Sequence, residues 1–103
     1  MSEGARQFRC EVQTDPPVVS VFGDVDIDSC DALAAEVRGL MAGRDGEPLV
    51  LDLAGVTFLD SSGLTVLAGA LNAGHPVTVR NPSRVVRTII EATGLAELVR
   101  LEP

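Results

Sequence analysis

Hydroxyls, carboxylates, one imidazole and two thiols are the side chains here that could carry chemistry, and they are unevenly placed. The densest group is Asp60-Ser61-Ser62-Gly63. A second lies upstream, where Asp24, Asp26, Asp28 and Asp31 follow one another with no basic residue between them. A serine just before an apolar periodic stretch can cap a helix by accepting backbone N–H bonds. As a nucleophile it would need a base within hydrogen-bond reach. The single histidine, His75, sits between Gly74 and Pro76 at the far end of the helix expected after Asp60. The sequence has no Gly-x-Ser-x-Gly elbow, no Walker loop and no Gly-x-Gly-x-x-Gly run. It therefore supports no catalytic residues, and no enzyme is expected. The carboxylates lack EF-hand spacing, so no metal or other cofactor is expected. In the plainest reading they are solvated acids that complement a helix dipole. Cys10 and Cys30 form no Cys-x-x-Cys pair and read as reduced structural thiols.

The formal charge of −7 argues against direct nucleic-acid binding, which needs cations facing phosphates. It suits a basic partner surface instead. With 46% apolar and only 3% aromatic residues, a single core must be built from Val, Leu, Ile and Ala. One domain spanning 1–103 is expected. No apolar run approaches the ~18 residues of a membrane span, and Met1–Arg6 lacks the apolar segment of a secretory signal. A cytoplasmic protein with no membrane insertion follows as the simplest expectation.

Several elements must position these groups. Phe8-Arg9-Cys10-Glu11-Val12 alternates with the period of a strand. Asp15-Pro16-Pro17 turns the chain, and Val18–Phe22 forms a second strand that Gly23 ends. A helix follows, with Asp28 or Ser29 as cap and Leu33, Val37, Leu40 and Met41 on one face. Leu49–Leu53, almost continuously apolar, fits a central strand covered on both faces. The helix after Asp60 buries Leu64, Leu67, Ala68 and Leu71. Val77–Arg80 is a further strand. Asn81 and Pro82 open a third helix, with Val85, Val86, Ile89 and Ile90 inward, and Leu98–Leu101 is a last short strand or turn. The order predicts an α/β fold with a mixed β-sheet of four to five strands and helical crossovers.

The run Leu49-Val-Leu-Asp-Leu-Ala-Gly-Val-Thr-Phe-Leu-Asp-Ser-Ser-Gly-Leu64 resembles the signature of the STAS domain, the family named for sulfate transporters and anti-sigma factor antagonists. Gly23-Asp24-Val25-Asp26 resembles the family's Gly-Glu-hydrophobic-Asp motif, with Asp24 where Glu is common. Val85–Leu95 resembles its third helix. Many members run on into a last helix beyond the point reached at Pro103; here that helix is either absent or short and contained in the final residues.

The resemblance implies an anti-sigma factor antagonist in a partner-switching pathway. Its partner would be an anti-sigma factor that is also a serine kinase, and a separate serine phosphatase would reset it. The acceptor directly follows Asp in the family, which selects Ser61 over Ser62. Asp24, Asp26, Asp60, Ser61, Ser62 and Gly63 are the implied partner-binding residues. A phosphate on Ser61 would meet the unpaired N–H groups and positive potential of a helix start. It would also bring about −1.5 to −2 charges to the surface. The alternative implied by the same family is a regulatory subunit of a membrane transport assembly, for example in lipid trafficking, that is not phosphorylated.

Overall fold

The computed structural model describes residues 7–103; the expectation about a secretory signal in Met1–Arg6 lies outside the described residues. The elements are β1 (Arg9–Thr14), β2 (Pro17–Val25), α1 (Cys30–Met41), β3 (Leu49–Leu59), α2 (Ser61–Asn72), β4 (Val77–Arg80), α3 (Arg84–Ala92), a single 3₁₀ turn (Leu95–Glu97) and β5 (Arg100–Glu102). They form the α/β fold with a mixed, five-stranded sheet that the patterning predicts. Strand order is β1-β2-β3-β4-β5, with β1 antiparallel to β2 and the other pairs parallel.

Each parallel strand lies beside the one before it. Right-handed crossovers that all step in one direction put α1, α2 and α3 on the same face. Burial follows that geometry. Val19, Val21, Leu49, Leu51, Leu53, Val77 and Val79 are buried beneath a helical layer that includes Leu33, Val37, Leu67, Val86 and Ile90. On the other face Ser20, Phe22, Val50, Asp52, Thr78 and Arg80 are only half-buried, and the Arg9 guanidinium lies 4.0 Å from the Phe22 ring centre. The expectation that β3 is covered on both faces is therefore corrected. Its apolar appearance comes from Val50 alone among the residues of the open face between Leu49 and Leu53.

Other local expectations shift for identifiable reasons. β2 does not end at Gly23 but runs on to Val25 through an irregularity in its pairing with β3, where Gly23 takes φ 90°, a value that favours glycine. α3 begins at Arg84, two residues later than Pro82 would allow. Asn81 turns left-handed (φ 58°), and the Ser83 hydroxyl caps the helix by accepting from Val86 N–H at 3.2 Å. The delayed start rotates Val85 outward to 65% exposure, while Val86 and Ile90 stay buried. In α2 the buried stripe is Gly63, Leu64, Val66, Leu67 and Ala70, with Ala68 and Leu71 at its margin. No helix among the described residues is long and apolar enough to cross a membrane.

Candidate functional site

The parallel pairing of β2 with β3 brings the two singled-out segments together. Asp24 pairs with Phe58 and Val25 with Leu59, and beyond the last pair Asp60 N–H donates to the Val25 carbonyl at 3.1 Å. The loop after β2, which carries Asp26, and the start of α2, which carries Ser61, thus leave the sheet side by side at the carboxyl ends of their strands. Loops of open α/β sheets commonly form binding sites there.

Asp60 holds the start of α2. As N-cap it accepts Ser62 N–H on its carboxylate at 2.8 Å. Its carbonyl accepts Gly63 N–H at 3.1 Å and Leu64 N–H at 3.3 Å. Ser61 is the first residue of the helix, exposed, and its carbonyl takes the Thr65 hydroxyl at 3.0 Å. The first-turn donors a phosphate on Ser61 was expected to meet are therefore already bound to Asp60. Among the described residues only Ser61's own N–H is left without a partner. A phosphate here keeps the field of the helix dipole but must compete with the Asp60 carboxylate for Ser62 N–H.

Gly63 is buried. A Cβ there would overlap Leu59 Cδ1 and lie 2.9 Å from Val25 Cγ1. Its lack of a side chain lets α2 approach the ends of β2 and β3. Ser62 is half-buried, and its amide, not its hydroxyl, serves the cap.

Asp26 organises the neighbouring loop. One carboxylate oxygen accepts Asp28 N–H at 3.0 Å and Ser29 N–H at 3.2 Å, and its carbonyl accepts Cys30 N–H at 2.8 Å. The buried Ser29 hydroxyl accepts Asp26 N–H at 3.0 Å and donates to the Asp24 carbonyl at 3.0 Å. Asp26, rather than Asp28 or the Ser29 side chain, thus satisfies the amides leading into α1. The Asp24 carboxylate, on the open face of the sheet, accepts the Thr57 hydroxyl at 2.6 Å. It stands on the same pair of strands as the loop yet faces differently from Ser61, because side chains alternate along β2.

None of Asp24, Asp26, Asp28, Asp31 and Asp60 forms an ion pair among the described residues. The arginines that do pair meet Glu11, Asp15, Glu47 and Glu102 elsewhere. The rim around Ser61 is therefore uncompensated negative charge. The Ile27 side chain, in the Asp26 loop, stands 73% exposed at this rim, while Phe58, in register with Asp24 on the open face of the sheet, is 49% exposed. Sequence reasoning missed both. Ile27, alone between Asp26 and Asp28, carries a faint signal, since an apolar residue inside an acidic turn has no core to reach. Phe58 has none, because it falls between the strand expected at Leu49–Leu53 and the helix expected after Asp60. No group of three or more His, Cys, Asp or Glu among the described residues is arranged to hold a metal ion.

A model of the family described as Mlab, STAS domain matches residues 8–100, which include every side chain of this site. The chain belongs to the STAS domain family. Other STAS proteins resemble it along most of its length. An anti-sigma F factor antagonist of Lysinibacillus sphaericus is 26% identical over 93 residues, 85% of this chain and 80% of that protein. The crystal structure of an anti-sigma factor antagonist from Mycobacterium paratuberculosis is 30% identical, with a TM-score of 0.77 over 99% of this chain and 89% of that one. SpoIIAA in its unphosphorylated form superimposes with a TM-score of 0.74 at 21% identity, over 92% of this chain and 87% of that one. SpoIIAA of Bacillus in its phosphorylated form gives 0.67 at 21% identity, over 92% of this chain and 90% of that one. At that identity the SpoIIAA structures speak for the STAS fold alone.

Proposed function

We propose that this STAS protein is an anti-sigma factor antagonist that binds an anti-sigma factor serine kinase and is released when that kinase phosphorylates Ser61; a serine phosphatase restores the binding form. The observation that carries this reading is an exposed serine on the first turn of α2, set in a rim of acids without cationic partners. The named functions of the Lysinibacillus and Mycobacterium relatives support it.

The physical logic is interfacial. Unmodified, the rim presents negative charge around Ile27, which suits an apolar cleft bordered by Arg or Lys. A phosphate adds about −1.5 to −2 charges at one point. It also adds bulk where the hydroxyl had been in contact, and a desolvated anion without a cationic partner costs several kcal/mol. A differential of about 5.5 kcal/mol inverts a 99:1 equilibrium. α2 stays anchored throughout, because Leu64, Val66, Leu67 and Ala70 are buried independently of the Ser61 hydroxyl.

The test is incubation with candidate anti-sigma factor kinases and Mg-ATP, followed by phosphosite mapping and calorimetric titration of both forms. Phosphate on Ser61, loss of affinity by at least about tenfold, and a Ser61→Ala variant that stays bound are expected. Phosphate on Ser62, or unchanged affinity after modification, overturns the reading. Stable association with a transport ATPase and no phosphorylation by any kinase favours the transport-subunit alternative.

A further inference from the structure

β1 is an open edge of the sheet. It spans six residues, and every one except Cys10 is exposed. Among the described residues it pairs only with β2. An edge strand presents a row of unpaired N–H and C=O groups to any further strand, and proteins usually guard such edges with shortness, proline or a bulge. The opposite edge follows that rule, because β5 is only three residues long. β1 does not. It holds no proline, and its register with β2 runs unbroken from Arg9 to Thr14.

The sequence of this edge is complementary to itself. A second copy of β1 can add antiparallel to the first about a two-fold axis perpendicular to the sheet. Such an axis keeps each face on its own side, so odd-numbered residues oppose odd ones and even oppose even. With the axis at Cys10, Arg9 opposes the second copy's Glu11 and Glu11 its Arg9; Phe8 opposes Val12, Gln7 opposes Gln13, and Cys10 opposes Cys10. Opposite charges and apolar pairs directly across two strands are the stabilising combinations. The faces agree as well. Arg9 lies on the open face over the Phe22 ring, while Phe8 and Cys10 pack against the core beneath the helices. Val12, 41% exposed within one copy, would be covered by the second copy's Phe8. Other registers lose this match. An axis at Arg9 or at Glu11 sets like charges opposite each other, which destabilises. An axis at Val12 carries Arg9 past the end of the strand.

We infer that the β1 edge binds a second copy of this chain, joining the two sheets into one through antiparallel β1 strands centred on Cys10. The inference goes beyond the partner switch and does not depend on it. The axis reverses strand direction between the copies, and the Ser61 rim lies at the carboxyl ends of β2 and β3. The two rims therefore stand at opposite ends of the dimer, and both stay open to a protein partner.

The experiment is sedimentation equilibrium of the full, reduced chain from micromolar to millimolar concentration, where a monomer–dimer equilibrium is expected. Glu11→Arg sets arginine opposite Arg9 on both sides of the axis and should weaken the dimer at least about tenfold. The double exchange Arg9→Glu with Glu11→Arg restores both pairs and should recover the parent affinity within about threefold. Both side chains are largely exposed, at 62% and 66%, so circular dichroism should show each variant folded. Opposed Cβ atoms stand about 4.5–5.5 Å apart, close to the span of a disulfide. Copper–phenanthroline should therefore link Cys30→Ser chains through Cys10, taking two electrons and releasing two protons from the thiol pair, and should leave Cys10→Ser chains unlinked. A monomer at every concentration, an unchanged affinity in Glu11→Arg, no recovery in the double exchange, or linkage through Cys30 instead of Cys10 overturns the assignment.

Discussion

Removing the Asp60 carboxylate should affect the unmodified and phosphorylated proteins in opposite ways. In the unmodified protein Asp60→Ala deletes the side-chain cap on Ser62 N–H but leaves the carbonyl bonds to Gly63 and Leu64. Loss of an N-cap costs about 1 kcal/mol, and loss of a negative charge at a helix N-terminus about 0.3–1 kcal/mol more. At about 4–8 °C per kcal/mol for a domain of this size, the melting temperature should fall by roughly 5–16 °C. With phosphate on Ser61 the sign changes. The phosphate and the Asp60 carboxylate repel by about 1 kcal/mol per unit charge at ~4 Å even in water, and the phosphate carries about −1.5 to −2. Removing Asp60 relieves that repulsion and frees Ser62 N–H for the phosphate. The phosphorylated variant should therefore melt at or above the phosphorylated parent. Installing phosphoserine at position 61 during synthesis makes all four proteins without relying on a kinase to recognise the variant. Circular dichroism melts then complete a double-mutant cycle with a coupling of about 2 kcal/mol. Equal destabilisation in both backgrounds would refute the competition between carboxylate and phosphate, and no destabilisation in the unmodified protein would refute the cap.

Gly63→Ala forces a methyl group into Leu59 and Val25 and should lower stability by about 1–3 kcal/mol, read by urea denaturation. Ile27→Ser should weaken kinase binding by at least about tenfold while leaving the melting temperature unchanged, because Ile27 is 73% exposed. Val85→Ser, at 65% exposure on α3, is the control that should alter neither. Asp26→Ala should weaken binding or phosphorylation more than Asp45→Ala. Because Asp26 also orders its own loop, it should in addition speed amide exchange at Asp28 and Ser29; equal binding losses from both variants would reduce the rim to general surface charge.

Much of this protein is legible from local pattern. Alternation in Phe8–Val12, the apolar run Val18–Phe22, the stripe of Leu33, Val37 and Met41, and the helix start after Asp60 are short-range features that mark strands and helices. The Asp-Ser-Ser-Gly and Gly-Asp-Val-Asp motifs likewise identified the STAS family and nominated Ser61. What tertiary structure alone decided is which side chain serves which neighbour. Parallel pairing of β2 with β3 set the Asp26 loop beside Ser61, a placement that depends on register across 33 residues, as the Asp24–Thr57 bond shows. Packing of α2 against Leu59 and Val25 made Gly63 a buried spacer. Stacking every helix on one face left β3 half open although its sequence reads as fully buried. Ile27 is exposed because it lies in the loop between β2 and α1, and Phe58 because its pairing with Asp24 sets it on the open face of the sheet. Burial and hydrogen-bond satisfaction are properties of the whole packed arrangement, so a one-dimensional pattern can nominate residues for a site but cannot assign the bonds that each of them makes.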